Sequence, residues 1–436
     1  MTAALPWDHL DINELGHLTI GGADTLALAE EYGTPLYAMS EEAIRENCRL
    51  YRRSMERFYQ GRGMVAYASK AFCCKAMCTI AREEGLGLDV VSAGELYTAR
   101  AAGFPMERVL FHGNNKTPEE LAMALEYGVG RIVADNLTEL GTLNAMAAAR
   151  GVIAPVMLRI KPGVDAHTHS FIRTGQIDSK FGFALETGEA LGAVKLALEA
   201  KSLRLTGLHC HIGSQIFEIE PFCHAVTVML EFMGLICRET GTALAELNLG
   251  GGFGIRYIAE NDPVPYDRYM EKISGAVKSC CTKLGFPEPF LILEPGRSIV
   301  GAAGLTLYRV GEVKVIPGVR TYVSVDGGMG DNPRYALYHA DYTFTAAARA
   351  GEAKTQVVTV AGKCCESGDL LGENVPLQEV KPGEVLAVLA TGAYNYSMAS
   401  SYNRNPRPPV VLVGENGPRV IVRRESLEDL VANDMG

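Results

Sequence analysis

Val65-Ala66-Tyr67-Ala68-Ser69-Lys70-Ala71 reads as a short apolar strand ending on a lysine, and Gly87-Leu88-Asp89-Val90-Val91-Ser92-Ala93-Gly94-Glu95 follows as a second strand leading into acids. Taken alone, a lysine at a strand end is more often a solvated terminus than a reactive group, because its stem packs while its ammonium reaches water. The rest of the chain changes that reading. Later strand ends also carry polar or glycine-rich groups: His209-Cys210-His211-Ile212-Gly213-Ser214, Gly250-Gly251-Gly252-Phe253-Gly254 and Glu294-Pro295-Gly296-Arg297.

Working outward, strand candidates recur at Met64–Ser69, Gly87–Val91, Val109–His112, Arg131–Ala134, Pro155–Ile160, Leu203–His209, Glu246–Leu249 and Phe290–Leu293. Amphipathic stretches such as Ala93–Ala102, Pro118–Tyr127, Leu137–Arg150 and Pro221–Glu239 separate them. Strands alternating with helices over such a length suit a (β/α)8 barrel, with a doubly wound open sheet as the alternative. The unusual residues fall at the C-terminal ends of many strands, where barrel sites lie, rather than near one switch point.

After Gly296 the texture changes. Leu305–Val310, Thr321–Val325, Thr355–Val360, Glu384–Leu389, Val410–Val413 and Arg419–Val422 alternate or run apolar between Gly, Pro and Asp, as in an all-β domain of sandwich or barrel type. A chain of 436 residues exceeds what one core comfortably fills. The expected division is therefore residues 1–32 as a segment contributing to the β domain through the strand Leu18–Gly22, residues 33–300 as the barrel and residues 301–436 as the β domain.

The formal charge of −10 argues against nucleic acid or an anionic membrane as partner, since an acidic surface repels both. The 11 cysteines are an odd number with no repeated C-x-x-C spacing, which suits reduced thiols better than a disulfide framework or a zinc site. The acidic stretch from Met1 to Glu14 has neither a basic nor an apolar leader pattern. No uninterrupted apolar run approaches the ~20 residues that span a bilayer. A cytoplasmic enzyme is expected.

A strand-end lysine amine can form a Schiff base with a carbonyl cofactor, of which pyridoxal 5'-phosphate is the usual one. Such a cofactor needs a dianion site, a flat partner for its ring and a control on its pyridine nitrogen. Gly250 to Gly252, followed by a helix, can present backbone N–H groups to a phosphate, and Ser214 adds a hydroxyl. His209 and His211 share one face of a strand. Metal ligation is the competing reading of that pair, with Asp89 as the sole matching third ligand, so no metal is expected. Glu294 is electronically decisive: a carboxylate beside the ring nitrogen keeps it protonated and makes the ring an electron sink, which favours decarboxylation over racemisation.

These motifs, together with Asp178-Ser179-Lys180-Phe181-Gly182-Phe183, Cys365-Glu366-Ser367-Gly368-Asp369 and Gly392-Ala393-Tyr394, resemble those of the diaminopimelate decarboxylases, pyridoxal-phosphate enzymes with an alanine-racemase-like barrel. The resemblance covers nearly the whole chain. It implies that Lys70 is the Schiff-base lysine, His211 the ring-stacking group, and Ser214, Gly251, Gly252, Gly296 and Arg297 the phosphate site. Asp89, Glu294 and Tyr394 complete the cofactor contacts. Substrate contacts fall on Arg297, Arg334, Tyr338, Glu366 and Tyr394, and Cys365 matches a proton donor supplied across a homodimer interface.

The substrate so implied is meso-2,6-diaminopimelate, which loses one carboxylate as CO2 to give L-lysine. Two departures stand out. Cys364 precedes Cys365, and the register of Glu366-Ser367-Gly368-Asp369 selects Cys365 as the donor. Tyr335 stands where a smaller residue or proline is more usual, which bears on the shape of the distal pocket. The alternatives are a decarboxylase of arginine, ornithine or a D-amino acid, whose substrates lack a distal carboxylate, a metal-dependent barrel lyase, and a non-catalytic homologue, which would be expected to lack Lys70 or Cys365.

Overall fold

A computed structural model of the chain describes Leu5, residues 7–164 and residues 179–436; Asp178 and the first four residues lie outside the described residues. The chain forms two compact units. One comprises Met1–Asn47, Ile255–Asp262 and Ile299–Gly436, the other Cys48–Gly254 and Pro263–Ser298. The division thus falls elsewhere than at residues 32 and 300, because the strand Leu36–Ser40 pairs inside the β unit, with Leu36 opposite Leu307.

The second unit is a closed parallel barrel. Its strands are Gly63–Ala68, Gly87–Val90, Val109–Phe111, Arg131–Ala134, Ala154–Lys161, Leu203–His209, Glu246–Asn248 and Phe290–Leu293. Each pairs in parallel with the next, and Leu291 opposite Gly63 closes the ring. Closure removes the open-sheet alternative. Met64, Ala66, Leu110, Val133, Met157 and Ile292 form a buried apolar cluster contributed by five of these strands, the layered filling that makes such a barrel a core and not a pore.

Strand-to-helix turns at the C-terminal end are fixed by caps. Ser92, Thr117 and Asn136 accept the N–H groups of Glu95, Glu120 and Glu139 at the starts of helices Ala93–Ala101, Pro118–Tyr127 and Leu137–Arg150. Each such cap contributes about 1 kcal/mol and sets where the loop above the strand turns. Among the described residues, Glu220–Thr240 is the one helix long and apolar enough by composition to cross a membrane, and 56% of that apolar window is buried inside the structure. Phe222, Met229 and Ile236 on it are core residues.

Two local readings change. The first barrel strand ends at Ala68, so Lys70 sits in the 3-10 turn Ser69–Ala71 directly beyond it. No helix follows the glycine run: Gly250 to Gly254 continue into a loop, and the next helix starts at Tyr266. Any phosphate cradle there is a backbone loop, not a helix terminus.

The β unit contains a sheet in the order Leu370–Leu377, Gln356–Ala361, Arg320–Val325, Gly304–Ile316, Leu36–Ser40, Val410–Gly414 and Gly417–Val422, with Val385–Leu389 also paired to Gly304–Ile316. Leu18–Ile20 does not join it. That strand lies in a separate three-stranded sheet with Leu10–Ile12 and Ala23–Asp24, while Leu18 and Ile20 are buried in the same core as Leu307, Val323 and Leu386.

Candidate active site

The turn carrying Lys70 is tied to the second barrel strand. Ser69 Oγ lies 2.7 Å from both the Asp89 carbonyl oxygen and Glu95 Oε2, and the Val91 N–H donates to the same carboxylate oxygen at 2.8 Å. Burial pushes the Glu95 carboxyl above its usual range, against the pull of these donors. Glu95 therefore supports the strand ends beside Lys70. Lys70 itself is exposed on the barrel's C-terminal face.

Glu294 directly follows the last barrel strand, and both of its carboxylate oxygens are bonded. Its Oε1 lies 2.7 Å from His112 Nε2 and accepts the Asn248 amide at 2.7 Å, while Oε2 lies 3.2 Å from His209 Nε2. Burial opposes ionisation here, but the two histidines outweigh it and hold this carboxyl well below the usual range. An ionised carboxylate only accepts, so both imidazoles carry hydrogen on Nε2. The buried, unpartnered Nδ1 of His209 agrees with that tautomer. Burial lowers the His209 pKa to about 3, so that ring is neutral.

Asp89 lies beside this group, 3.8 Å from His112 Nε2, and its Oδ1 is buried without a partner. Burial, with Glu294 close by, raises its pKa to about 7, His112 and Lys70 counteracting. His112, His209 and Glu294 also place ligand atoms within 4.8 Å of one another, a spacing a metal ion could use. The contacts present are hydrogen bonds, and that trio omits His211, the partner weighed for His209 from the sequence.

His211 lies two residues beyond the end of the strand Leu203–His209. Burial, with the Lys70 ammonium nearby, holds it well below its ordinary range and leaves a neutral flat ring. Ser214 Oγ accepts from Arg297 Nη2 at 3.0 Å and Nε at 3.3 Å, so a guanidinium and a hydroxyl converge. Between them the backbone is bare by necessity. Gly252 has φ +118°, and a Cβ there would lie 2.5 Å from the Gly213 carbonyl oxygen. This combination of a cation, a hydroxyl and side-chain-free backbone is the donor set a phosphate dianion requires. With Lys70, a neutral ring and an anionic carboxylate on the same barrel face, the residues present fit pyridoxal phosphate.

On the β unit, Arg334 opens the short helix Arg334–Tyr338, and its guanidinium carbon lies 5.5 Å from the Tyr338 ring centroid, 5.7 Å from that of Tyr394 and 5.9 Å from that of Tyr257. Its Nε–H is buried without a hydrogen-bond partner, an orphan donor that suits an incoming carboxylate. Tyr394 holds a left-handed φ of 64°, a strained conformation for a tyrosine. Cys365 and Glu366 are exposed, whereas Cys364 is half-buried and burial raises its thiol to about 11.

Three residues on the barrel face went unnoticed in the sequence: His112, Asn248 and Arg159. They lie within barrel strands or directly after them, in the C-terminal half of each run. Arg159 stacks over Phe181 at 4.2 Å and is a cation near Asp135, Glu294 and Asp89.

The family described as "Pyridoxal-dependent decarboxylase, pyridoxal binding domain" matches residues 41–301. A diaminopimelate decarboxylase of Bacillus subtilis is 52% identical over 97% of this chain and 96% of its own length. That of Staphylococcus aureus is 45% identical over 97% of this chain and 98% of its own. This chain belongs to the diaminopimelate decarboxylase family. The crystal structure of the M. jannaschii enzyme in co-complex with L-lysine superposes with a TM-score of 0.90 at 38% identity, covering 98% of each chain. Family membership makes the chain a pyridoxal-dependent decarboxylase and agrees with the barrel and separate sheet domain described above.

Proposed function

We propose that this enzyme removes one carboxylate of meso-2,6-diaminopimelate as CO2, replaces it with a proton and releases L-lysine. The observation that carries this reading is Glu294, a buried carboxylate kept ionised by His112, His209 and Asn248 on the same barrel face as Lys70. When bound, pyridoxal phosphate would supply a carbonyl for condensation with an amine and a ring able to accept electrons, and Lys70 would hold it.

The chain's own groups have separable roles. Glu294 sustains a proton on the ring nitrogen, and His211 offers its flat neutral face to the ring. Ser214, Arg297 and the backbone of Gly251, Gly252 and Gly296 anchor the phosphate. Asp89 keeps a carboxyl beside His112. Arg334, with Tyr338 and Tyr394 around it, pairs with a substrate carboxylate, and Glu366 accepts from the distal ammonium, so binding energy at the far end orients the bond that breaks. Cys365 gives its proton to the carbon that lost CO2. Following the family resemblance, the active unit is a homodimer in which Cys365 serves the partner's Lys70.

The test is product analysis. Purified protein with pyridoxal phosphate is incubated separately with meso-diaminopimelate, L-lysine, L-ornithine and L-arginine. Stoichiometric L-lysine and CO2 from the first is expected; CO2 release from one of the other three in preference would overturn the substrate.

A further inference from the structure

Asp369 closes the Cys365-Glu366-Ser367-Gly368-Asp369 motif, and the roles assigned above leave it unused. It is nonetheless a buried carboxylate whose two oxygens each accept a backbone N–H. At 3% exposure, its Oδ1 accepts the Met329 N–H at 2.6 Å and its Oδ2 accepts the Cys364 N–H at 2.6 Å. One carboxylate thus bridges two chain segments: the run from Gly327 that leads into Arg334, and the loop that carries Cys365 and Glu366.

The bridge is reinforced on both sides. The Lys363 N–H donates to the Gly327 carbonyl at 2.9 Å, a second link between the same segments. The Gly362 N–H donates to the Asp369 carbonyl at 2.9 Å, and a Cβ on Gly362 would lie 2.2 Å from Asp369 Oδ2, so the carboxylate occupies the space a side chain would need. Cys365 has its own N–H bound to Asn403 Oδ1 at 2.7 Å. Its backbone is therefore anchored at Cys364 by Asp369 and at Cys365 by Asn403.

We infer that Asp369 is a positioning residue for the reaction: its bidentate acceptance of the Met329 and Cys364 N–H groups sets the Cys365–Glu366 loop against the Arg334 segment. The inference rests on the proposed roles of Cys365 and Arg334. It explains why the position holds a carboxylate. An amide of the same size offers one acceptor oxygen, and its NH2 would face the other backbone donor.

The test is a double-mutant cycle on the holoenzyme, with kcat and KM measured for Asp369→Asn, Cys365→Ser and the double variant. Asp369→Asn is expected to lower kcat/KM by about tenfold or more in the wild-type background, and by a factor at least about threefold smaller in the Cys365→Ser background, because a misplaced donor matters little once the donor is gone. A merely structural loss multiplies both backgrounds alike. A factor reduced by less than that, or an Asp369→Asn variant within about twofold of wild type in kcat and KM, overturns the inference. If Asp369→Asn is recovered unfolded, the same cycle is run with Asp369→Glu, which keeps both acceptors but displaces them by one methylene. Wild-type turnover by Cys365→Ser alone would instead overturn the donor assignment, and with it the step Asp369 serves.

Discussion

His112 Nε2 sits 2.7 Å from Glu294 Oε1, on an oxygen that also takes the Asn248 amide at 2.7 Å. A carboxylate so bonded is fixed in rotation as well as charge. The lone pairs it still has free define where a protonated ring nitrogen can approach, and reorganisation is small at the moment charge moves into the ring.

Glu294→Gln should therefore cut kcat by about a hundredfold to a thousandfold while changing cofactor affinity far less, since the lost interaction is with charge that develops in the transition state. His112→Leu leaves Asn248 and His209 in place and should cost less. Steady-state kinetics and cofactor titration of the apo-protein check both, and a Gln variant with near-wild-type kcat would remove the electron-sink argument.

Lys70 should carry the cofactor. Borohydride reduction of the holoenzyme should abolish the visible absorbance of the Schiff base and leave a covalent adduct that peptide mapping places on Lys70. An adduct on Lys75, Lys180 or Lys363 would reassign the site.

The barrel was legible because its strands are short apolar runs separated by capped helices, and the strand-end residues Lys70, His211, Glu294 and Arg297 announce themselves by being polar where the pattern is apolar. His112, Asn248 and Arg159 escaped notice because each lies inside a run that reads as strand, and only closure of the ring turns them toward Glu294 or its neighbours. The β unit was harder to read. Leu370–Leu377 contains Gly372, Glu373, Asn374 and Pro376, a composition that reads as loop, yet it pairs with Gln356–Ala361 through an irregular register. Gly304–Ile316 runs past the expected end at Val310 because a register shift between Val310 and Glu312 absorbs Gly311. The bridge made by Asp369 could not be read at all, since it joins segments far apart in sequence through backbone N–H groups.

Lys116 is buried with its ammonium on Glu139 at 2.7 Å, the Val133 carbonyl at 2.7 Å and the Gly113 carbonyl at 2.9 Å, which pins the loop after His112. Lys116→Met strands the Glu139 carboxylate and should destabilise the protein by about 3–5 kcal/mol, whereas Lys116→Met with Glu139→Leu should recover most of the loss. Chemical denaturation of the three proteins reads the difference. Equal stability of the single and double variants would show that the ion pair is not what holds this loop.

Asp331 gives a pH signature. It is buried, accepts from Tyr308 Oη at 2.8 Å and the Gly328 N–H at 3.1 Å, and burial raises its pKa to about 7 despite these donors. An unfolded aspartate titrates near ~3.9, so between that pH and about 7 the folded state binds more protons than the unfolded one. The stability contributed by this proton is full below ~4 and is lost as pH rises through about 7. Asp331→Asn, which keeps an acceptor and has no proton to lose, should gain on wild type by up to about 4 kcal/mol between pH 4 and 7.5. Parallel stability curves for the two proteins would contradict the assignment.

The composite site makes the sharpest quantitative claim. Lys70→Ala and Cys365→Ala proteins should each be nearly inactive alone. After free subunit exchange at equal concentrations, half of the dimers are mixed, and in each mixed dimer one site has the Lys70 of one chain and the Cys365 of the other while its second site has neither. About a quarter of wild-type activity should therefore return if the two sites act independently. Exchange is verified separately by mass spectrometry of isotope-labelled chains. Activity that stays at background after verified exchange would mean that Lys70 and Cys365 act from one chain, and the shared-site arrangement would have to be abandoned.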